Sequence, residues 1–422
     1  MTTLVLNLSQ VVTCAGPARA RRGAEQADAG VRDGVGVAFS SEGRILAVAP
    51  DADLRAAHPD AQVVDGAQGV LTPGWVDSHT HAIFGRARYE EQELRAAGVG
   101  YLEIARRGGG IHSSVRDLRT RSADDLVALA AARLRRLAAH GTTTVEVKSG
   151  YGLSLESELT TLRVIRRLAA ELPLRLVPTF LGAHEVPLEY REAPHSRDEY
   201  IALVTGEMIP AVAAEGLARF CDVFCEPGVY TADESRRILA AARAAGLALK
   251  LHADELENGA AAELAAELGA TSADHLAAIS ETGVRALAAA GTVATLLPGT
   301  MLFLGRPKQA PARALIEAGV PVALASDFNP GTSPTVNFPL VLTLGISQLR
   351  LSAGEAFVAA TVNGAAALGL ADRIGQVAPG FEADLALFDV RDYREIPYWY
   401  GDHRCVRTWV GGRPAHVPTG AV

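Results

Sequence analysis

The chain is short of lysine. Lys148, Lys250 and Lys308 are the only three among forty basic residues, so arginine carries nearly all the positive charge. There is no basic stripe or aromatic-studded basic patch, and the net charge is −8. Nothing therefore points to a nucleic-acid partner. Cysteine is scarce too. Cys14, Cys221, Cys225 and Cys405 are scattered, and the C-x-x-x-C pair at 221 and 225 has no second pair in range. All four read as reduced, buried thiols rather than a disulfide framework or zinc knuckle. The opening Met1-Thr2-Thr3-Leu4-Val5 lacks the charged start and apolar run of a signal peptide. No apolar stretch approaches the ~20 residues a membrane span needs. G-x-G-x-x-G and G-x-x-x-x-G-K-S/T are both missing, which removes support from nucleotide-binding folds. The expectation is a soluble, cytoplasmic protein with no membrane partner.

What is present is a large apolar fraction, 49% of 422 residues, enough for an extensive core. Residues 1–68 carry short β-rich runs: Leu4–Leu8, Val35–Phe39 and, after a turn at 40–43, Arg44–Val48. Between them Pro17–Asp33 reads as an exposed loop. From 69 to 370, short apolar runs alternate with Ala/Leu/Arg-rich helical segments. Eight strand candidates emerge: Val70–Asp77, Thr142–Val147, Arg175–Leu181, Phe220–Cys225, Leu247–His252, Ala270–His275, Thr292–Leu297 and Pro321–Asp327. Ser196/Glu199, Thr231/Glu234 and Ser352/Glu355 fit helix capping boxes. Leu126, Leu129, Leu134 and Leu137 give another helix its apolar face, with Gly141 as its stop. Near-continuous apolar strands alternating with helices predict an α/β fold, a (β/α)8 TIM barrel. Residues 371–422 return to β signal at Ile374–Val377, Ala383–Val390 and Cys405–Val410. Neither chain end can bury a core alone, so the two are expected to meet in one small β-sandwich.

A (β/α)8 barrel carries its functional groups at the C-terminal ends of its strands. Strand one ends in His79-Thr80-His81, whose two imidazoles share a face and make half a metal site. The other ends carry Lys148–Tyr151, Gly182–Glu185, Glu226–Gly228, Lys250–Glu255, Ala273–His275, Pro298–Thr300 and Ser326–Asn329. Five of eleven histidines thus fall at strand ends, which scattered core histidines would seldom do.

His-x-His on strand one, His on five and six and Asp on eight resembles the amidohydrolase superfamily. Phe84-Gly85, Arg88, Gly108–Ser113, Lys148–Gly152, Gly182–His184, His252–Glu255 and Ser326–Thr332 are similar, taken together, to the imidazolonepropionase family within it. The resemblance spans the barrel and both flanking β segments. It implies one zinc or iron ion (Zn2+, Fe2+ or Fe3+) per subunit, held by His79, His81, His252 and Asp327. Such a donor set suits either ion with a water in an open position. Strand four ends in Glu226 without the lysine of binuclear relatives, so a mononuclear site is expected, with Lys250 a structural inward lysine. The resemblance further implies Glu255, His275 and Asp327 as catalytic groups. It places Arg88, Tyr151, His184 and Thr332 on a small-molecule substrate, with Asn329 and Gly331 toward the product. The activity expected is ring opening of 4-imidazolone-5-propanoate to N-formimidoyl-L-glutamate in histidine degradation, by a homodimer. Arg88 has a structural alternative in an ion pair with Glu90 or Glu91, and Glu255 in capping a helix start. Tyr101 and Gly108–His112 read as a lid or a plain flexible loop, with His112 open on either reading. His58, His140, His195, His403 and His416 read as ordinary residues. A base deaminase on the same scaffold is the competing enzyme, and a relative that lost its metal is the competing class.

Overall fold

The computed structural model describes residues 1–100, 103–104, 108–191 and 195–417. Eight parallel strands stand in chain order: Trp75–Asp77, Thr142–Lys148, Arg175–Ala183, Phe220–Cys225, Ala248–Ala253, Ser272–His275, Val293–Leu296 and Val322–Leu324. Each is one of the strands expected from the sequence. The barrel closes through the residues that follow strands one and eight. The Asp327 N–H donates to the His79 carbonyl at 3.1 Å, and the His81 N–H to the Phe328 carbonyl at 2.8 Å.

Two further sheets form the sandwich. Ile45–Ala49, Gly36–Ser40, Thr2–Leu6 and Gln62–Asp65 make one. The other runs Arg413–His416, Cys405–Val410, Leu385–Phe388, Val70–Pro73, Gln10–Val12 and Val31–Asp33. Val5, Val37, Phe39, Leu71, Leu385 and Trp409 share the core between them, so both chain ends bury one another.

Val70–Asp77 is not a single strand. Val70–Pro73 pairs antiparallel with Leu385–Phe388 in the sandwich, whereas Trp75–Asp77 begins the barrel. Gly74 is the joint. A side chain there would come within 2.1 Å of Thr143 Cγ2, so the Thr143 side chain leaves no room for a Cβ. Trp75, fully buried, stacks on Phe338 and packs against Phe388 of the sandwich, tying the two units together.

Pro17–Asp33 is not simply an exposed loop either. It holds a short 3-10 helix, Gly23–Ala27, and buries Arg21 and Gln26. The Gln26 amide donates to the Val322 carbonyl at 3.1 Å and accepts the Val322 N–H at 3.2 Å, pairing with the start of strand eight as a neighbouring strand would. Asn363 braces the same place through the Val322 carbonyl, the Arg21 backbone and Gln26. Ile374–Val377 forms no strand; the Val377 N–H donates to the Thr13 carbonyl instead. The three expected capping boxes are formed, and Ser122 with Asp125 adds a fourth, at the start of the helix Ala123–Ala139. All four cysteines are free and buried.

Candidate active site

His79, His81 and His252 bring one ring nitrogen each to within 4.8 Å of one another, all buried. Asp327 Oδ1 lies 3.7 Å from His79 Nε2 and 3.6 Å from His81 Nε2, and the His81 and His252 Nε2 atoms are 3.4 Å apart. Buried imidazole nitrogens this close are a liability unless something binds them. His79 Nε2, for one, is buried with no hydrogen-bond partner. Three imidazoles and a carboxylate are also the donor chemistry that zinc or iron takes.

Carboxylates stand behind two of the three rings, those of His79 and His252. Asp274 Oδ2 sits 2.6 Å from His79 Nδ1, and Asp222 Oδ2 3.0 Å from His252 Nδ1. A carboxylate on Nδ1 keeps the proton there and turns the Nε2 lone pair toward the shared point. Burial, then neighbouring positive groups, holds the His79 and His81 pKa values well below the usual range, so the rings are neutral ligands. Below them lie two of the chain's three lysines. Lys148 bridges Glu146 and Asp222 at 2.7 Å each, while Lys250 reaches Ser272 at 2.6 Å and Asp274 at 3.4 Å. Burial opposes the charge on Lys148, but Asp222, Glu146 and Asp274 outweigh it and hold its pKa above the ordinary value. Lys250 is inward and structural, as expected.

Asp327 accepts a hydrogen bond from Thr300 Oγ1 at 2.6 Å, and burial raises its pKa to about 6. It sits at φ 50°, and His275 at φ 80°, both in the left-handed region that ordinary residues avoid. His275 lies beside the cluster, 5.2 Å from the His252 ring centre, with Nε2 buried and unpartnered. Its Nδ1 is 3.7 Å from Glu255 Oε2. Burial, reinforced by Asp327 and Glu226, raises Glu255 well above the carboxylate range. Glu255 caps no helix, since the next one begins at Ala261. Asp254 instead accepts the N–H groups of Gly259, Ala261 and Ala262. Glu226 takes those of Glu255, Leu256 and Glu257 at 2.7–3.1 Å and so fixes the Glu255 backbone.

One pocket opens onto this cluster. His81, His252, Glu255, His275 and Asp327 line it together with Arg88, Tyr151, His184, Asn329, Thr332, Ile111 and Phe224. His184 stacks on His81 at 4.9 Å, donates from Nδ1 to the Gly150 carbonyl at 2.9 Å, and is pushed down to about 3 by burial. Arg88 is buried and meets Glu91 at 3.3 Å, so it makes the alternative ion pair and still lines the pocket. The Asn329 amide is engaged within its own loop, by Asp327, Gly331 and Thr332. Gly331 lies against Arg88: a Cβ there would fall 1.9 Å from Nη2. His112 is buried in the first turn of the helix Ile111–Leu118, near Arg191 and Arg116, and does not line the pocket. Tyr101 lies outside the described residues.

Sequence reasoning did not assign roles to Asp222, Asp274, Glu146, Thr300 or Ser114, and it weighed Glu91 only as an ion-pair partner that would take Arg88 away from the substrate. A signal existed for the first three, each an acid inside an otherwise apolar or small-residue strand, as in Phe-Cys-Asp-Val-Phe-Cys at 220–225. Buried carboxylates need partners, and a barrel interior supplies them.

Fold and donor set together define a metal-dependent hydrolase barrel. Residues 106–416 match the amidohydrolase family. The imidazolonepropionase of Symbiobacterium thermophilum is 49% identical over 402 residues, covering 94% of this chain and 93% of that one. That of Geobacillus kaustophilus is 46% identical over 409 residues, covering 96% and 95%. The chain belongs to the amidohydrolase family and, within it, to the imidazolonepropionases. Among solved structures, an adenosine deaminase from Xanthomonas campestris with bound zinc superposes with a TM-score of 0.74 at 21% identity, over 98% of this chain and 93% of that one. The guanine deaminase of E. coli gives 0.72 at 17%, over 99% and 100%. At such identities the likeness is one of fold.

Proposed function

We propose that the protein hydrolyses the ring C–N bond of 4-imidazolone-5-propanoate to give N-formimidoyl-L-glutamate, a step of histidine degradation. The observation that carries this reading is that His81, His252 and Asp327, with His79 buried behind them, and a buried arginine, Arg88, open onto one pocket. His79, His81, His252 and Asp327 would hold one zinc or iron ion per subunit. Bound there, the ion supplies a water acidified toward a pKa of ~7 as the nucleophile. Asp327 takes the proton released when that water attacks the ring carbonyl carbon and delivers it to the ring nitrogen as the C–N bond breaks. His275, with Nε2 unpartnered, and Glu255, held high in pKa, orient the water and donate to the oxygen that gains charge. Arg88 grips the propanoate carboxylate, a group an arginine binds in two parallel hydrogen bonds. Tyr151, His184 and Thr332 enclose the ring, while Asn329 and Gly331 shape the loop that meets the product.

A deaminase acting on a neutral base has no use for the Arg88 cation, and the deaminase likeness is one of fold. A metal-free relative would have no need of four buried donors turned to one point. Among the described residues no helix is long and apolar enough to cross a membrane. The reading carries a cytoplasmic homodimer by family resemblance. Turnover of imidazolone propanoate, followed by ultraviolet absorbance with cytosine and guanine as controls, tests the assignment. Deamination of either base without ring opening overturns it. Arg88→Ala is expected to raise KM at least about 10-fold with metal content unchanged, since a hydrogen bond to a charged group is worth ~1.5–3 kcal/mol; unaltered kinetics would remove Arg88 from the site.

A further inference from the structure

Arg88 needs holding in place, and the sequence near it supplies an acid that the reaction does not use. Glu91 is buried, three residues on from Arg88, in the first turn of the helix Tyr89–Ala96. One carboxylate oxygen, Oε1, lies 3.3 Å from Arg88 Nε and accepts the Gly110 N–H at 2.7 Å. The other, Oε2, lies 3.7 Å from Arg95 Nη1, and Arg95 Nη2 donates to the Gly331 carbonyl at 3.0 Å. Gly110, at φ 65°, is the residue from which the helix Ile111–Leu118 starts. That helix returns two residues to the same place. Ser114 Oγ accepts from Arg88 Nη1 at 2.9 Å, and Ile111 lines the pocket.

We propose that Glu91 is the positioning residue for Arg88, joining the substrate-binding guanidinium and the start of the helix Ile111–Leu118 into one rigid unit. This rests on the reading of Arg88 as the partner of the substrate carboxylate. The geometry explains why one acid serves both. The Glu91 carboxylate stands 3.3 Å from Nε as an ion pair, Nη1 donates to Ser114, and the guanidinium lies against the bare Cα of Gly331, so it is held on three sides. A planar fork recognises a carboxylate only when its plane is set beforehand. The Gly110 bond carries the same constraint into the glycine-rich turn at 108–110, so the pocket wall at Ile111 is placed together with the cation. The cost is a carboxylate removed from water, which partners on both of its oxygens offset.

The test compares two substrates in the metal-loaded enzyme: imidazolone propanoate and its uncharged propanamide. Glu91→Gln is expected to raise KM for the propanoate about 10-fold or more, leaving kcat within about threefold, metal content unchanged and KM for the propanamide unmoved. A merely structural role would shift both substrates alike, and that result, or an unchanged KM for the propanoate, overturns the proposal. If the Gln variant does not accumulate folded, Glu91→Asp serves in the same comparison. Its shorter arm cannot reach Arg88 and Gly110 together, so the same selective rise is expected. Arg88→Met run in parallel separates the two claims. A selective KM rise in Arg88→Met without one in Glu91→Gln sinks the role of Glu91 alone, whereas none in Arg88→Met sinks the reading of Arg88 and with it this proposal.

Discussion

At the scale of single residues, the donors are set by what stands behind them. His252→Ala is expected to lose bound metal and activity together, read by metal analysis beside turnover; full metal occupancy in that variant would disprove the ligand set. Asp274→Asn leaves every donor in place but removes the carboxylate at 2.6 Å that keeps the His79 proton on Nδ1. Metal affinity is expected to fall roughly 10–100-fold, measured by competition with a chromogenic chelator. Glu226 offers a pH test. Burial raises it from the usual 4.5 to about 7, although three backbone N–H donors pull the other way. A carboxylate whose pKa is raised on folding binds its proton more tightly in the folded state. Its contribution is therefore complete below about pH 4.5 and is lost as pH rises through about 7. Denaturation midpoints should fall across that window, and Glu226→Gln should flatten the slope; an identical slope in the variant excludes Glu226 as its source. The residues proposed as donors stand at strand ends legible in the chain, and the family resemblance joins them into one set. The roles of Asp222 and Asp274 were not legible, because they exist only once strands four and six face strands five and one.

At the scale of elements, the joint at Gly74 decides how the two units meet. The apolar run from Val70 to Asp77 shows no break in its hydrophobicity, so it reads as one strand. Gly74 and the close passage of Thr143 divide it, sending one half to each sheet. Gly74→Val forces a branched side chain against Thr143 and is expected to cost about 1–3 kcal/mol, read from urea denaturation. Stability equal to the parent would mean the joint can open without loss. Helix starts were legible for a simpler reason: a capping box is complete within four residues and needs no tertiary partner.

At the scale of the whole molecule, the N-terminal segment is a working part of the barrel. Gln26 satisfies both backbone groups of Val322 at the start of strand eight, 296 residues away in the chain. Gln26→Ala leaves the Val322 N–H unpaired in a buried place, the carbonyl keeping its bond from Asn363, and is expected to cost about 1–3 kcal/mol, seen as a lowered midpoint with metal content intact. A neutral effect would show that Asn363 alone suffices there.

The eight barrel strands in their order and the return of β structure at both ends are legible in the chain alone, as are the strand-end residues and Arg88 that this reading makes metal donors and substrate partner. Each of these is encoded locally, in the period of apolar residues, a capping motif or the identity of a side chain. Only the tertiary structure places Val70–Pro73 in the sandwich, pairs Gln26 with strand eight, and sets Asp222, Asp274 and Glu91 behind the groups proposed to meet metal and substrate. Those outcomes depend on which buried polar atoms come within about 3 Å of one another, and that proximity is set by closure of the barrel rather than by any one stretch of chain.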